Sequence, residues 1–289
     1  MDLSVLLPAY NEERAVGSVI REIRESLQDW PGTWEIVLVD DASTDGTVAQ
    51  AEALGVRVIR RVENGGFGGA CLTGLRHVRG TIVAIMDVDG TYPAAELPRL
   101  LSFFPDYDQV NGVRTSEQGT CWMLRMPAKW IIRKLAEWVS GRRIPDLNTG
   151  MKLFKRQTML RYLWALPPGF SCVSSMTLSF LCNGHPVKFT PIPYRKRIGQ
   201  SKFRPIRDTW AYLGTVFRIV MYFRPIRIFF PLSLAVGLAG LLSGICNVLY
   251  SPAGLHDLDV VLVLTALLVL GLGMLAELIV AQHRGQQFL

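Results

Sequence analysis

Histidine and cysteine are scarce in this chain, four and five residues among 289. The cysteines at 71, 121, 172, 182 and 246 form no Cys-x-x-Cys pair and have no histidine at zinc spacing. That excludes a zinc finger or a disulfide framework and predicts buried thiols in a reducing compartment. Internal repeats and low-complexity linkers are also absent. Residues 64–70, NGGFGGA, are rich in glycine but lack the Lys-Ser/Thr ending of a phosphate-binding loop and the spacing of a dinucleotide fingerprint. They imply only close approach of backbone to a ligand or to another loop. Basic residues outnumber acidic ones, for a net charge of +7, yet they gather beside the apolar C-terminal part, not along an aromatic-studded surface. This distribution argues against nucleic acid and for anionic lipid headgroups and phosphate ligands.

Apolar residues are what the chain has in quantity: 49% of the total, with a positive mean hydropathy. Residues 228–250 and 260–281 are each long enough to cross a hydrocarbon core of about 30 Å as a helix. Between them they carry one charge, Glu277. Arg204, Arg207, Arg218, Arg224 and Arg227 crowd the side before the first stretch, and His283 and Arg284 follow the second. The connection 251–259 has no Lys or Arg. By the positive-inside rule the chain is expected to be an integral membrane protein with both termini and the preceding domain cytoplasmic. Met1 leads straight into the strand-like LSVLL, so no signal peptide is expected. Residues 207–223 interleave Trp210, Tyr212, Phe217, Tyr222 and Phe223 with arginines, the composition of a helix lying in the membrane interface. The expected organisation is an α/β domain over 1–203, an amphipathic juxtamembrane helix over 204–227, and a two-helix transmembrane hairpin with a short tail over 228–289. An oligomer is compatible with it.

The α/β class follows from periodicity. Strand-like runs at 3–7 and 35–40 flank a segment, 12–30, with Val16, Val19, Ile20, Ile23 and Leu27 at amphipathic helix spacing. A helix over 47–54, a strand at 56–60, a helix over 69–79 and a strand ending at Asp87 repeat the alternation. This predicts a mostly parallel sheet with helices on both faces. Further strands are expected at 109–114, 149–155 and 187–194, and helices at 122–140 and 174–183.

The chemistry is concentrated in residues 81–93, TIVAIMDVDGTYP. A short apolar run reads as a buried strand, and Asp87 and Asp89, spaced i, i+2, point the same way from its carboxyl end, where open α/β sheets bind ligands. Two carboxylates there make a site for a hard divalent cation. The loops after the first two strands, PAYNEE from Pro8 and DDASTDGT from Asp40, fall on the same edge. Asp41 there is a suitable acceptor for the ring N–H of a nucleobase, and Tyr10 a suitable cover for its face. Asn11 and Ser43 are expected as helix caps.

In their order, these motifs resemble the membrane-associated family 2 glycosyltransferases of the dolichyl- or polyprenyl-phosphate sugar synthase type, which have the Rossmann-like GT-A fold. The resemblance runs from Leu3 to about Arg227. It implies that Pro8, Tyr10, Glu12 and Asp41, with Asp87, hold a nucleotide-sugar donor, and that Asp87 and Asp89 hold Mg²⁺ or Mn²⁺ on its diphosphate. The family often has Gln two residues beyond the second aspartate; here Thr91 stands there, and a hydroxyl is a poorer ligand than an amide carbonyl. Gly112-Val113-Arg114 looks like the family's Gly-x-Arg, whose arginine faces the acceptor phosphate. Arg125 and Lys129 sit where a helix in those relatives supplies more positive charge. Residues 146–152, DLNTGMK, resemble the segment of the catalytic aspartate, here Asp146, which acts with Asp89. Residues 197–202, RIGQSK, resemble the Arg-x-Gly-x-Ser-Lys loop, whose counterparts Arg197, Ser201 and Lys202 close over phosphates beside the membrane.

The activity so implied is inverting, metal-dependent transfer of a hexose from a GDP- or UDP-sugar to a polyprenyl or dolichyl phosphate at the cytoplasmic face. A family 2 transferase acting on a glycan or another lipid is one alternative, although the Gln-x-x-Arg-Trp signature of polysaccharide synthases is missing. A non-catalytic membrane protein that keeps the GT-A fold for binding is the other.

Overall fold

The computed structural model describes residues 1–115, 130, 133–169, 171–198, 214, 217–218, 220–250 and 254–286. It divides into two units, Met1–Val216 and Phe217–Leu289.

The first unit is built on a seven-stranded sheet of order β3-β2-β1-β4-β6-β5-β7. Its strands are β1 (Leu3–Ala9), β2 (Trp34–Asp40), β3 (Arg57–Arg60), β4 (Ile82–Ile85), β5 (Gln109–Arg114), β6 (Lys152–Lys155) and β7 (Val187–Ile192). All seven residues of β1 are buried, which is why this strand reads as a continuous apolar run and not as an alternating one. Helix α1 (Glu13–Leu27) buries Val16, Val19, Ile20, Ile23 and Leu27, the residues whose spacing predicted it. Helices α2 (Thr47–Ala53) and α3 (Gly66–His77) complete the alternation. The mostly parallel sheet is as expected, with β6 as the exception: it runs antiparallel to both neighbours, β4 and β5. Residues 133–140, ahead of β6, are helical as the periodicity of 122–140 predicted, yet β6 pairs antiparallel with β5, so the alternation of strand and helix did not reveal this reversal.

Because β1 has β2 on one side and β4 on the other, with both pairings parallel, the chain leaves the sheet in opposite directions around the carboxyl ends of β1 and β4. A crevice forms at such a switch point.

Three local expectations need correction. β4 ends at Ile85, so Asp87 and Asp89 sit in the following turn and not on the strand; Gly90, at φ +76°, takes the chain around it. Thr149 and Gly150 likewise precede β6 instead of opening it. Neither Asn11 nor Ser43 caps a helix, since Glu12 and Gly46 occupy the N-cap positions of α1 and α2 without a side-chain bond. Instead the Asn11 amide N–H donates to Ser43 Oγ (2.9 Å), and the Thr44 N–H donates to Asn11 Oδ1 (2.8 Å), tying the loops after β1 and β2 together.

In the second unit, helices Ile226–Tyr250 and Asp257–Gln286 pack as a hairpin, and both are long and apolar enough to cross a membrane. Gly240 admits Leu262 and Val263 closely, and Ser233 Oγ donates to the Ala266 carbonyl (2.8 Å). Glu277, whose role the sequence left open, accepts from the backbone N–H of Ile226 (3.3 Å) at the start of the facing helix. Such N–H groups have no intrahelical partner. Leucines such as Leu242, Leu268 and Leu275 face outward. Cys246 is exposed on this hairpin, against the expectation of buried thiols; Cys71, Cys172 and Cys182 are buried as expected, and Cys121 lies outside the described residues. Residues 217–218 and 220–223 are helical, while most of the expected interfacial helix lies outside the described residues.

Candidate active site

The turn after β4 is held from two sides. Asp89 is buried, and its Oδ1 accepts both the Thr91 backbone N–H (3.0 Å) and the Thr91 hydroxyl (2.5 Å). Its Oδ2 pairs with Arg197 Nη2 at 2.5 Å. The segment carrying Arg197 lies along the turn, with the Arg195 N–H on the Thr91 carbonyl (2.9 Å) and the Ile198 N–H on the Asp89 carbonyl (3.0 Å). Thr91 therefore orients an aspartate in this structure.

Asp87 has a different environment. Among the described residues it takes no hydrogen bond and no ion pair, and burial together with the Asp89 charge pushes its pKa up to about 7, against the lowering influence of Arg197 and Arg114. Gly150 abuts it: a Cβ at that position would stand 2.1 Å from Asp87 Oδ2. The Gly150 N–H in turn donates to the hydroxyl of buried Tyr92 (2.7 Å). Tyr92 meets Tyr194 edge-on, with ring centroids 5.3 Å apart, and the Arg114 guanidinium lies 5.6 Å over the Tyr194 ring.

Arg114, the last residue of β5, grips Asp146 as a fork, Nε to Oδ2 at 2.7 Å and Nη2 to Oδ1 at 2.9 Å. The Asn148 N–H also donates to Oδ1 (3.0 Å). Burial by itself would raise the Asp146 pKa, but the bonds and charge of Arg114, with Lys152 and the Asn148 amide, hold it below the usual carboxylate range. Behind this loop, Lys152 is buried with Nζ on Thr177 Oγ1 (2.5 Å) and the Leu147 carbonyl (3.3 Å). Burial pushes its pKa down to about 7.

On the other side of the crevice, Pro8 is buried within β1, and Tyr10 and Glu12 follow at half-buried positions. Glu12 is close enough to Asp87 and Arg197 for its charge to act on both. Asp41, just past β2, is buried and already engaged: Arg61 Nη1 and the Gly65 N–H both donate to its Oδ1. Of the residues singled out in the sequence, Asp87, Asp89, Arg114, Asp146, Arg197, Glu12 and Asp41 thus gather on one edge of the sheet. Arg125, Lys129, Ser201 and Lys202 lie outside the described residues.

The sequence reading missed Arg61, Tyr92, Gly150, Lys152 and Tyr194. Arg61 had a signal, because it is a basic residue immediately beyond a strand's carboxyl end. Tyr92 and Lys152 had none, since nothing local distinguishes them from core or surface residues.

The donor set suits a divalent cation. Among the described residues Asp87 is an acidic oxygen donor without a partner, disfavoured as an anion by burial and by the neighbouring Asp89 carboxylate, and a cation offsets both. Among the described residues no third His, Cys, Asp or Glu joins the pair into a metal cage. Two carboxylates with further ligands from a substrate's phosphates are what Mg²⁺ commonly takes. The Arg197 Nε–H is buried with no acceptor among the described residues, an orphan donor that an anionic oxygen would satisfy.

A family model described as Glycosyl transferase family 2 matches residues 4–163, more than half of the chain. The chain belongs to that family. A second model, GtrB C-terminal hairpin, matches residues 224–281 of this glycosyltransferase, the two-helix unit. A dolichyl-phosphate hexose transferase of Haloferax volcanii is 34% identical over 222 residues, covering 76% of this chain and 94% of that protein. An undecaprenyl-phosphate 4-deoxy-4-formamido-L-arabinose transferase of Sodalis glossinidius is 30% identical over 161 residues, or 53% of this chain and 49% of that one. The chain thus spans about half the length of the second relative. These matches bear out the resemblance to the polyprenyl-phosphate sugar synthase type. Among solved structures, glucosyl-3-phosphoglycerate synthase of Mycobacterium tuberculosis, in complex with Mn²⁺, UDP and phosphoglyceric acid, superposes with a TM-score of 0.60 at 21% identity, over 75% of this chain and 78% of that one. That likeness bears out the GT-A fold of this glycosyltransferase.

Proposed function

We propose that this glycosyltransferase moves a hexose from a nucleotide-sugar to a polyprenyl or dolichyl phosphate, with inversion at the anomeric carbon, on the cytoplasmic face of a membrane. The observation that carries the reading is Asp87, without a hydrogen-bond or ion-pair partner among the described residues, beside Asp89 and Arg197, on the same sheet edge as the Arg114–Asp146 fork. It pairs a cation site with arginines suited to phosphate. The activities for which the Haloferax and Sodalis relatives are named, both transfers involving a polyprenyl phosphate, support it.

In the reaction an oxygen of the lipid phosphate attacks the anomeric carbon while the bond from that carbon to the nucleoside diphosphate breaks. Asp87 and Asp89 would hold Mg²⁺ or Mn²⁺, which would supply charge neutralisation for the departing diphosphate, commonly worth several kcal/mol. Thr91 keeps Asp89 aimed. Pro8, Tyr10, Glu12 and Asp41 bind the nucleoside, and Arg197 places its orphan Nε–H on a phosphate oxygen. Lys202 of the same loop, with Arg125 and Lys129, adds charge for the acceptor, and Ser201 adds a hydroxyl donor.

Asp146 is a poor general base in this arrangement, because Arg114 occupies both of its oxygens and its pKa is lowered. A phosphate monoester with a second pKa near about 6 is already largely dianionic at neutral pH and needs little deprotonation. Asp146 therefore orients Arg114 toward the acceptor phosphate. The hairpin retains the enzyme on the bilayer in which the polyprenyl chain dissolves, so acceptor and enzyme share one surface.

The test is a donor panel. Purified full-length protein is incubated with polyprenyl phosphate, Mg²⁺ or Mn²⁺, and radiolabelled nucleotide-sugars, and label is followed into the lipid phase. Label entering the lipid phase from one donor is the expected result. Label that enters only water-soluble product overturns the lipid-phosphate acceptor.

A further inference from the structure

The pairing of Arg61 with Asp41 bears on which nucleobase the site accepts. Asp41 follows β2 and Arg61 follows β3, adjacent parallel strands, so both stand at the carboxyl-end edge that carries Asp87 and Asp89. The Asp41 N–H donates to the Ala9 carbonyl (2.8 Å), and the Arg61 N–H to the Asp40 carbonyl (2.9 Å), which fixes both residues against the strand ends. Asp41 Oδ1 receives two donors, Arg61 Nη1 and the Gly65 N–H (3.0 Å), and an sp² oxygen has two lone pairs to offer. Oδ1 is full. Among the described residues Oδ2 has no hydrogen-bond partner, and beside it stand the remaining N–H groups of a guanidinium that is about a quarter exposed (24%).

The glycine-rich stretch explains how the guanidinium reaches this position. A Cβ on Gly65 would come within 2.4 Å of the Arg61 terminal nitrogens, and one on Gly69 within 2.6 Å of Nη1. Residues 64–70, read in the sequence only as a place of close approach, leave the space that Arg61 fills.

The edge offered to a base is thus one free carboxylate oxygen beside a set of N–H donors. Uracil presents one ring N–H between two carbonyls, so the N–H donates to Oδ2 while a carbonyl accepts from Arg61. Guanine presents two neighbouring donors, N1–H and the 2-amino group, and a carboxylate serves both well only when both oxygens are free. With Oδ1 occupied, one of them is left unpaired, or its 2-amino group faces the Arg61 donors. We infer that Arg61, by filling one oxygen of Asp41, selects a uridine diphosphate sugar over a guanosine diphosphate sugar. The inference rests on the nucleotide-sugar reading above.

The experiment is titration calorimetry of the full-length protein with Mn²⁺ and four nucleotides: UDP, 3-methyl-UDP, GDP and IDP, the last lacking the 2-amino group. A site that leaves a polar group of the wrong ligand unpaired discriminates by roughly ten- to a hundredfold. UDP is expected to bind at least about tenfold tighter than both GDP and 3-methyl-UDP, and IDP tighter than GDP, on that basis. GDP binding as tightly as UDP, or tighter than IDP, overturns the inference and leaves the transferase reading standing. Failure of every nucleotide to bind overturns the transferase reading and the inference together. Arg61→Met frees one lone pair of Oδ1, the Gly65 N–H keeping the other, and the UDP preference over GDP is expected to shrink by about tenfold or more as the second acceptor returns. A folded Arg61→Met protein with an unchanged preference removes Arg61 from the role. If that variant does not fold, the order UDP, IDP, GDP measured on the unaltered protein decides.

Discussion

Replacing Gly150 with alanine is the sharpest available perturbation of the candidate cation site. Gly150 is outside the left-handed region, so alanine adds no backbone strain there, and the whole effect comes from one methyl group. That methyl carbon would stand 2.1 Å from Asp87 Oδ2, 2.5 Å from its Cγ and 2.7 Å from its Oδ1, where ordinary contact begins near 3.4 Å. The carboxylate must retreat by roughly an ångström, or the turn at Gly150 must leave its bond to Tyr92; overpacking of this kind costs about 1–3 kcal/mol. Metal–ligand distances tolerate only about 0.2 Å, so a carboxylate moved that far would no longer reach an ion shared with Asp89. Mn²⁺ affinity, read by electron paramagnetic resonance on the purified protein, is expected to drop by about tenfold or more, equivalent to ~1.4 kcal/mol. Transfer activity should fall with it, and a thermal melt checks that the variant is folded. A folded Gly150→Ala protein with unaltered Mn²⁺ affinity would refute the placement of the ion on Asp87.

Tyr92→Phe keeps the ring but leaves the buried Gly150 N–H unpaired, a loss of about 1–3 kcal/mol. The melting temperature should fall by about 2–4 °C per kcal/mol, and an unchanged melt would show that Gly150 needs no such anchor. Asp87 holds its proton more tightly folded than unfolded, with a pKa of about 7 against an ordinary 3.8. Its contribution to stability is therefore complete below about 3.8 and is lost as pH rises through about 7. Without divalent cation the melting temperature should decline across that window, and Mn²⁺ should restore it increasingly toward pH 7; a Mn²⁺ effect independent of pH would count against Asp87 meeting the ion. Because Asp146 holds Arg114 and takes no obligatory proton, the activity lost in Asp146→Asn should be similar well above the phosphate pKa of about 6 and near it, whereas a loss that grows as pH falls through that pKa would return Asp146 to the role of base for the monoanionic acceptor. Removing residues 228–289 should impair transfer to long-chain lipid more than donor binding, and equal loss of both would mean that the hairpin is needed for folding.

The sequence was sufficient for everything that depends on local periodicity or on the type of residue at a strand end. The apolar stripe Val16, Val19, Ile20, Ile23 and Leu27 specifies α1, and the continuous runs specify β1 and β2. The two apolar stretches specify helices long enough for a membrane, because length and apolarity are one-dimensional properties. Asp87, Asp89, Asp41, Arg114 and Asp146 were recognisable as polar residues in strand-end loops, and parallel topology sends all such loops to one edge. Tertiary structure decided which of these groups touch. The fork of Arg114 on Asp146 joins positions 32 residues apart, the Tyr92–Gly150 bond spans 58, and Arg197 reaches Asp89 from beyond β7. Asp41 was legible as an acceptor, but the filling of its Oδ1 by Arg61 and Gly65 depends on the register of β2 against β3 and on the space left by the glycines. The antiparallel course of β6 and the early end of β4 are likewise consequences of pairing between distant strands. Residue type determined where acid and base stand along the chain, and close packing determined which oxygen of each remains free.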